Sequence, residues 1–528
     1  YGTNHIMTKI FEQKINRFDG GMANDIREKD TTRFAFTRNF DTLSFPHRLI
    51  PYRSYENGND TNTRLLTDFV YASSKLHALG INLASSNEPK VYIRTAFTDG
   101  AWTTEAANFT SGGTDDKVPG CFVFHDGSIF MLSGTTTVDR YYVGGGTAWA
   151  VAAAIAHGGG IDGVGSNAVQ GIVHSKDKSL YLAGTRKIYR RAEGAADSSW
   201  STAVLTLPLN LTITSICEYG NFLAIGCKDN NPIAQTSKVF LWDRDSSVTT
   251  LSELIDWGLG TLNVLEELEG KLIGISLIKR ETSGGLIFNS VLSFKYYNGN
   301  GAQEFERIDG TRSSSTSPIS YLGTQKQKVN NRLYFVAMLS TDVSTQTKEG
   351  VWSVGRSGPS RPYVVTNEYP SRNDNTGVPT TIEGFFIMGS YVWVVYDTGN
   401  VSKTDDAANF TSNSKYETQI FDGDDSSITK KLIGVTVNTA PLPAAGSVQL
   451  LYRIDANIDG TTAGGNMTSI FTHTTDNSLS HSAINIESSG ATLPEFKEIQ
   501  FQIISLGGAE IIGLSFAYEI TGKRLYDL

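Results

Sequence analysis

The segment Ile216-Cys217-Glu218-Tyr219-Gly220-Asn221-Phe222-Leu223-Ala224-Ile225 contains two short apolar runs separated by a Gly-Asn pair. A third apolar run, Val239-Phe240-Leu241-Trp242, follows it. Gly-Asn favours a tight hairpin, because both residue types accept positive φ angles at low cost. The segment therefore predicts three antiparallel strands, the first two joined by a two-residue turn.

The same unit can be read seven times along the chain. Taking one apolar residue near the start of each second strand as equivalent gives the series Leu76, Ile129, Leu180, Leu223, Leu272, Leu333 and Val392. The spacing runs from 43 to 61 residues. A period of roughly 40–50 residues with several strands per repeat is typical of β-propeller blades. We therefore predict an approximately seven-bladed β-propeller over residues 59–430.

The bulk composition supports an all-β fold. The chain has 528 residues, which is too long for one ordinary core, and it holds 52 Gly and 26 Phe with only 19% charged residues. The net charge of −9 and the absence of a basic run predict no sequence-specific nucleic-acid partner. No apolar run reaches the length of a membrane helix, so no membrane segment is expected.

The N-terminal stretch Lys9 to Arg53 does not follow the repeat. We predict that residues 1–58 form an extended arm, because the stretch carries many aromatic rings but lacks hairpin spacing. Exposing these rings to water would be costly. We expect them at a contact between copies of the chain, with an ordinary strand that closes the ring as the alternative. The six rings are Phe11, Phe18, Phe34, Phe36, Phe40 and Phe45.

The C-terminal residues 431–528 predict a separate β-sandwich. Phe501, Ile503, Phe516 and Tyr518 alternate with other residues, as in half-buried strands. The predicted strands are 432–437, 448–452, 469–472, 482–486, 498–504 and 511–518.

Motifs at both ends resemble those of structural proteins of tailed-bacteriophage virions. Near the N-terminus they are Phe18-Asp19-Gly20-Gly21, Asn39-Phe40-Asp41 and Leu49-Ile50-Pro51. At the C-terminus, 448–455, 498–502 and 511–518 are similar to the terminal domain of many phage tail proteins. That pattern often has a Trp after the Tyr-Arg strand, and this chain has Met467 and Ile470 in that region.

The resemblance implies a non-enzymatic structural component of the tail, such as a nozzle, tail tip or adhesin base. Its implied location is the virion, and its implied roles are assembly and host attachment. Its implied partners are further copies of the chain, other tail proteins, and a host-surface receptor or glycan.

A second resemblance supports an alternative function. Thr404 to Thr411 resembles the Asp-box turn of sialidase-like propellers, and Ala106 to Ser111 repeats Ala407 to Ser412 letter for letter. The Asp-box is a structural turn in most proteins that carry it. The resemblance nevertheless makes a glycan-binding or sialidase-like glycoside-hydrolase propeller the alternative function. A sialidase would need three arginines and a Tyr–Glu pair, and the sequence identifies none of them beyond a faint arginine motif at His47-Arg48. We therefore predict no catalytic residues.

Metal, cofactor and thiol chemistry are not expected either. Asp455, Asn457 and Asp459 match the start of a calcium-binding loop, but its twelfth position is Asn466 where a Glu is needed. A polar connecting loop is the favoured interpretation. Cys121, Cys217 and Cys227 are read as small buried residues without a disulfide. His125 and His174 precede two of the predicted turns, which indicates repeat geometry and not ligand spacing.

Overall fold

The computed structural model describes twenty-three stretches of the chain. They are residues 10–23, 29–57, 64–82, 88–94, 103–104, 122–133, 137–143, 149–154, 170–196, 198–201, 203–230, 235–245, 253–282, 287–310, 321–339, 348–357, 362–369, 382–396, 400–404, 410, 413–455, 467–484 and 493–521. These residues form forty strands and no α-helix. The predicted all-β class is confirmed.

The chain divides into two units. The terminal unit comprises Tyr1–Tyr55, Thr341–Pro379 and Ala407–Leu528, and the central unit comprises Glu56–Ser340 and Thr380–Asp406. The predicted boundaries after residues 58 and 430 differ from this division. The reason is strand pairing, because N-terminal strands are hydrogen-bonded to C-terminal ones.

The central unit contains five four-stranded antiparallel sheets in which each strand pairs with the next along the chain. Their strands are β6 (Arg64–Ala72), β7 (Lys75–Asn82), β8 (Glu88–Arg94) and β9 (Thr103–Thr104); β10 (Val123–His125), β11 (Ser128–Ser133), β12 (Thr137–Tyr142) and β13 (Trp149–Ala154); β14 (Gly171–Val173), β15 (Leu180–Ala183), β16 (Lys187–Arg191) and β17 (Leu205–Thr206); β18 (Leu211–Tyr219), β19 (Phe222–Asp229), β20 (Thr236–Trp242) and β21 (Glu253–Leu259); and β22 (Thr261–Leu268), β23 (Lys271–Thr282), β24 (Ile287–Tyr297) and β25 (Ala302–Asp309).

Two further sets of paired strands complete the central unit. The hairpin of β26 and β27 comes first, and the antiparallel set β30, β31 and β32 follows it. Their bounds are β26 (Tyr321–Val329), β27 (Arg332–Leu339), β30 (Ile382–Met388), β31 (Tyr391–Tyr396) and β32 (Asn400–Thr404).

The repeat read from the sequence coincides with the second strand of each set. The seven equivalent residues lie on β7, β11, β15, β19, β23, β27 and β31, and each is buried. The predicted turns precede them. Asp126 and Gly127 both have positive φ, as do Asn330 and Asn331. These are the backbone angles of two-residue hairpins with the twist of the flanking strands.

The first strands of the seven sets are neighbours in a closed series. In chain order β6 lies beside β10, β10 beside β14, β14 beside β18, β18 beside β22, β22 beside β26 and β26 beside β30. The series closes because β30 also lies beside β6.

The terminal unit contains two five-stranded sheets. One has the order β1-β40-β34-β37, with β38 also paired to β34, and the other has the order β2-β33-β39-β35-β36. Their strands are β1 (Ile10–Ile15), β2 (Phe34–Arg38), β33 (Ser414–Thr418), β34 (Lys430–Thr439), β35 (Ser447–Ile454), β36 (Thr468–His473), β37 (Ser480–Ile484), β38 (Glu495–Phe496), β39 (Ile499–Leu506) and β40 (Ile511–Ile520).

Shorter pairs complete this unit. They are the two-residue strands β3 (Phe40–Asp41) and β4 (Ile50–Pro51), and the hairpin of β28 (Lys348–Gly355) and β29 (Val364–Tyr369). β5 (Tyr55–Asn57) spans the boundary of the two units. All six C-terminal strands predicted from the sequence are present, as β34, β35, β36, β37, β39 and β40.

Aromatic rings fill the space between the two sheets of the terminal unit. Phe501 on β39 and Phe516 on β40 have ring centroids 5.0 Å apart. Both rings are buried, and Phe516 also contacts Phe421. The alternation predicted for these strands therefore directs one face of each sheet into a shared core.

The N-terminal stretch differs from the expected extended arm. β1 pairs with β40, and β2 pairs with β33, so both sheets of the terminal unit include an N-terminal strand. Phe18 and Phe34 pack on Tyr416. Of the six rings expected at a contact between copies, Phe18, Phe34, Phe36 and Phe40 are buried inside the chain, Phe11 stacks on Tyr518, and Phe45 is 52% exposed. Pairing with the C-terminal strands gives the backbone groups of β1 and β2 hydrogen-bond partners and brings most of the rings into the core.

Candidate functional site

The first strands of the closed series line a cavity of about 340 Å³ in the central unit. Residues on or next to all seven first strands line it. The polar lining residues are Gln170, Glu266, Thr324, Gln325, Lys326 and Gln327, and the aromatic ones are Phe69, Phe122, Phe385 and Phe386. The volume lies at the small end of the roughly 300–1,000 Å³ range of ligand sites.

A bulge in β26 shapes this cavity. Leu322 pairs with Ala337 and Lys326 pairs with Phe335, so three residues of β26 face one residue of β27. Such a bulge bends the strand and leaves the extra residues unpaired in the ladder. Here the extra residues include Thr324 and Gln325, which line the cavity.

Two side chains span the cavity between sheets that are not neighbours in the series. Gln170, next to β14, donates to the carbonyl oxygen of Thr324 on β26 at 3.0 Å, and its own oxygen accepts from Ile216 N at 3.0 Å. Lys326 Nζ donates to Ile216 O at 2.7 Å and to Leu265 O. The ammonium also lies 3.0 Å from the Glu266 carboxylate. Its three protons therefore all have acceptors within the chain.

Alternate side chains of β26 bond to opposite neighbours. Gln325 accepts from Phe385 N at 2.9 Å and Gln327 accepts from Ile387 N at 2.8 Å, both on β30. Lys328 instead lies 3.0 Å from the Glu267 carboxylate on β22. Burial lowers the pKa of Lys328, but the hydrogen bond to Glu267 and the negative charges of Glu266 and Glu267 together raise that pKa above its usual value. Because successive side chains of a strand point to opposite faces, the polar strand β26 forms side-chain bonds with β30 on one side and with β22 on the other.

The sequence analysis did not single out Gln170, Glu266 or Lys326. One sequence feature could have indicated this site. The run Gln325-Lys326-Gln327-Lys328 is polar where the other repeats have an apolar first strand. A polar strand at an inner position requires hydrogen-bond partners, and the bulge supplies them.

His125 and His174 occupy equivalent positions, as their place before the turns predicted. His125 Nε2 lies 2.7 Å from Lys178 O in the turn of the next sheet, and His174 Nε2 lies 3.3 Å from Phe222 O, beside the turn of the sheet after that. Asp126 pairs with Arg191 at 2.8 Å. These contacts join successive sheets at their hairpin turns.

The remaining predicted site residues have structural contacts where they are described. Asp455 accepts from Lys497 N at 2.8 Å and from Glu498 N at 2.9 Å, so its carboxylate stabilises a turn. Asn457 and Asp459 lie outside the described residues, and no group of metal-ligating side chains occurs within them. The Asp-box residues 405–409 and 106–111, and Cys121, also lie outside them.

The other two cysteines are free and buried, as expected. Cys217 pairs with Ala224 and Cys227 with Ile213, so the two thiols are not opposite each other in the hairpin. Burial raises the pKa of both thiols, which keeps them protonated.

A Tyr–Glu pair exists, but it is inside the terminal unit. Tyr52 OH donates to Glu368 at 2.8 Å, and Ser353 and Thr366 donate to the other carboxylate oxygen. Glu368 has no exposed surface. A carboxylate enclosed in this way is a satisfied structural group and not a nucleophile facing a substrate. Arg48 of the faint arginine motif is half exposed and pairs with Glu510.

A second buried polar network lies on one face of the terminal unit's β33-β39-β35 strands. Arg453 Nη2 is 3.5 Å from Glu417, and Arg453 Nε donates to Gln500 at 2.7 Å. Gln502 donates to the same carboxylate at 2.6 Å. All four side chains are buried. The charge pair is therefore protected from water and depends on both partners.

Comparisons with known proteins do not assign a family or a function to the chain. No protein-family profile matches the chain, and no curated protein matches it. Among solved structures, one described as a glycoside hydrolase covers 87% of this chain and 98% of its own length, at 11% identity and a TM-score of 0.27. BamB from Moraxella catarrhalis covers 70% and 94%, at 9% identity and 0.32. The WD40 beta propeller domain of Doa1 covers 67% and 96%, at 10% identity and 0.35. Likeness at this level carries no argument about function.

The structure also bears on membrane association. In the part of the chain that it describes, no helix has the length and apolar character needed to cross a bilayer.

Proposed function

We propose that this chain is a non-catalytic structural component of a tailed-phage virion. In this proposal the central unit is a seven-bladed β-propeller and the terminal unit is a β-sandwich. The chain acts in the tail, as a nozzle, tail tip or adhesin base, and it assembles there with other tail proteins and with copies of itself.

The fold part of the proposal is supported by the closed series of first strands. Seven sets of strands follow one another, and the last set lies beside the first. A ring of blades buries both faces of each blade against its neighbours, which one blade cannot do alone. The two facing sheets of the terminal unit, with Phe501 against Phe516, support the sandwich.

One observation carries the non-catalytic part. The charges at the centre of the ring are used in bonds between strands, because Lys326 contacts Glu266, Ile216 O and Leu265 O. Catalysis by a pair of carboxylates needs an acid and a base that face the substrate. Among the described residues that line the cavity, Glu266 is the one carboxylate, and it is paired with Lys326.

The virion location is supported by the resemblance at both ends of the chain. Those motifs fall in one unit, since the N-terminal strands β1 and β2 pair with β40 and β33. Phe45 is the exposed ring of the six, so it is the candidate for a contact between copies. Rings of identical subunits are a common form of assembly.

Mass spectrometry of purified particles tests the location. We expect the chain in particles at a constant ratio to other tail proteins, and its absence from them would reject the virion role.

A turnover assay tests the competing class, a glycan-processing propeller. Sialosides and other surface glycans are incubated with the full chain, and we expect no product. As a matched control, Glu368→Gln and Glu266→Gln variants are assayed beside it. Turnover that is lost in either variant would overturn the non-catalytic proposal and identify the carboxylate responsible.

A further inference from the structure

We propose that two stacked histidines form an acid-sensitive contact that closes one edge of the terminal unit. His473 lies on β36 and His481 on β37, which are the last strands of the two facing sheets. Within the described residues neither strand has a further strand beside it at this edge. The proposal goes beyond the structural role, because a scaffold needs no group that titrates near neutral pH.

The two imidazole rings are packed face to face. Their centroids are 4.4 Å apart and their planes are inclined by 17°. Phe471 on β36 contacts the His481 ring edge-on, with centroids 4.5 Å apart. Val448 is opposite His473 in the neighbouring ladder. Val437 is opposite His481, and both valines are buried. Directly opposite side chains of a ladder are neighbours, so the stacked rings lie beside apolar groups.

This environment disfavours a positive charge on the pair. His473 is 9% exposed, and its Nε2 is buried without a hydrogen-bond partner in the described part of the chain. Burial lowers the pKa of His481, and the neighbouring His473 lowers it further. A like charge at this distance opposes the second proton, so the two rings titrate as a coupled pair.

No carboxylate offsets a charge on these rings. Among the described residues, neither imidazole takes part in an ion pair. Asp476, in the turn that joins β36 to β37, is exposed. Glu510 precedes β40 and pairs with Arg48. The charged residues of the two adjoining strands lie at the strand ends away from the histidines. They are Lys430 and Lys431 on β34 and Arg453 on β35.

Acid should therefore open this edge. The pKa of His481 lies below its usual value of 6.5, so the closed edge binds fewer protons than an open one. The contact is stable above about pH 6.5 and weakens below it, by at most about tenfold per pH unit for each proton that is taken up. Two charged rings repel each other, and separation of β36 from β37 exposes the Phe471 ring.

Histidine NMR and hydrogen exchange on the full chain test the proposal between about pH 8 and about pH 5. We expect the His473 and His481 signals to titrate in two separate steps. Amide exchange over 468–484, corrected for its intrinsic pH dependence, should be at least about tenfold faster at the acidic end. Strands β39 and β40 should stay protected, which distinguishes local opening from global unfolding. Independent titration of the two rings, or exchange of β36 and β37 that does not respond to acid, would overturn the proposal.

Ring-conserving variants identify the groups responsible. His473→Phe keeps an aromatic ring but removes one charge, so the pKa of His481 should rise and the acid-induced exchange should decrease about tenfold. His481→Phe should protect the edge in the same way. His47→Gln changes another histidine of the terminal unit and should respond as the unaltered chain does. A folded His473→Phe chain that opens as readily in acid would reject the pair as the cause. Particle mass spectrometry decides the virion role separately, so the two proposals can fail independently.

Discussion

His125 Nε2 lies 2.7 Å from the carbonyl oxygen of Lys178, and its Nδ1 lies 2.7 Å from Arg191 Nη1. A carbonyl can only accept and a guanidinium can only donate, so in this arrangement His125 donates through Nε2 and accepts at Nδ1. His174 repeats the arrangement one sheet later. Its Nε2 faces Phe222 O and its Nδ1 accepts from Lys176 N at 3.2 Å. Two successive contacts between sheets therefore use an imidazole that donates through Nε2 and accepts at Nδ1.

Acid should weaken the contact that His174 makes with the next sheet. Burial lowers the pKa of His174 below its usual 6.5, although the nearby Glu218 acts in the opposite direction. The folded chain then binds fewer protons than the unfolded chain. Stability from this group is present above about pH 6.5 and decreases below it, by at most about 1.4 kcal/mol per pH unit.

The measurement is urea unfolding between about pH 7 and about pH 5. His174→Gln keeps a donor and an acceptor but does not titrate, so its stability should decrease less on acidification. His47→Gln, which changes a more exposed ring, is the matched control and should follow the unaltered chain. Identical pH dependence in all three proteins would contradict the assignment.

Lys326→Met should destabilise the central unit strongly. The change leaves the Glu266 carboxylate and two carbonyl oxygens without their donor in a site where both charged side chains are less than one-fifth exposed. Removing one partner of a buried pair costs about 3–5 kcal/mol.

Lys328→Met is the matched control for this change. Lys328 lies two residues further along the same strand and is 44% exposed, so its removal should cost under about 1 kcal/mol. Denaturant unfolding of both variants measures the difference. Equal losses would mean that the bonds across the cavity contribute little.

Glu417 and Arg453 should show energetic coupling. Glu417→Gln leaves the Arg453 guanidinium buried without its counter-charge, which should cost about 3 kcal/mol. In an Arg453→Met background the same change should cost about 1–3 kcal/mol less. A double-mutant cycle by chemical unfolding gives the coupling energy. Additive losses would show that the two charges act independently.

The buried thiols should resist modification in the folded chain. Burial raises the pKa of Cys217 and Cys227, so little thiolate exists near about pH 8. In a Cys121→Ser background we expect a thiol reagent to label neither residue until concentrated guanidinium chloride is added, and then to label both. Rapid labelling of the folded chain would indicate that the β18–β19 hairpin opens readily.

Patterns within short segments of the amino-acid sequence predict the individual strands and turns. Leu223 and its six equivalents mark second strands, because an apolar run behind a tight-turn pair has few other conformations. The six C-terminal strands follow from the same two-residue alternation. These strands and turns depend on residues that are close together in the chain. A short segment of sequence therefore contains all the information needed to predict them.

The pairing of distant strands becomes visible only in the three-dimensional fold. The stretch with Phe18 and Phe34 lacked any hairpin partner nearby, so local patterns indicated an arm, whereas β1 and β2 pair with strands near the other end of the chain. The cavity has the same origin. The bulge in β26 aligns Thr324 with Gln170, 154 residues earlier in the chain, and Lys326 with Ile216, 110 residues earlier. Contacts at such separation depend on where the ring closes, and no short segment of sequence encodes that closure.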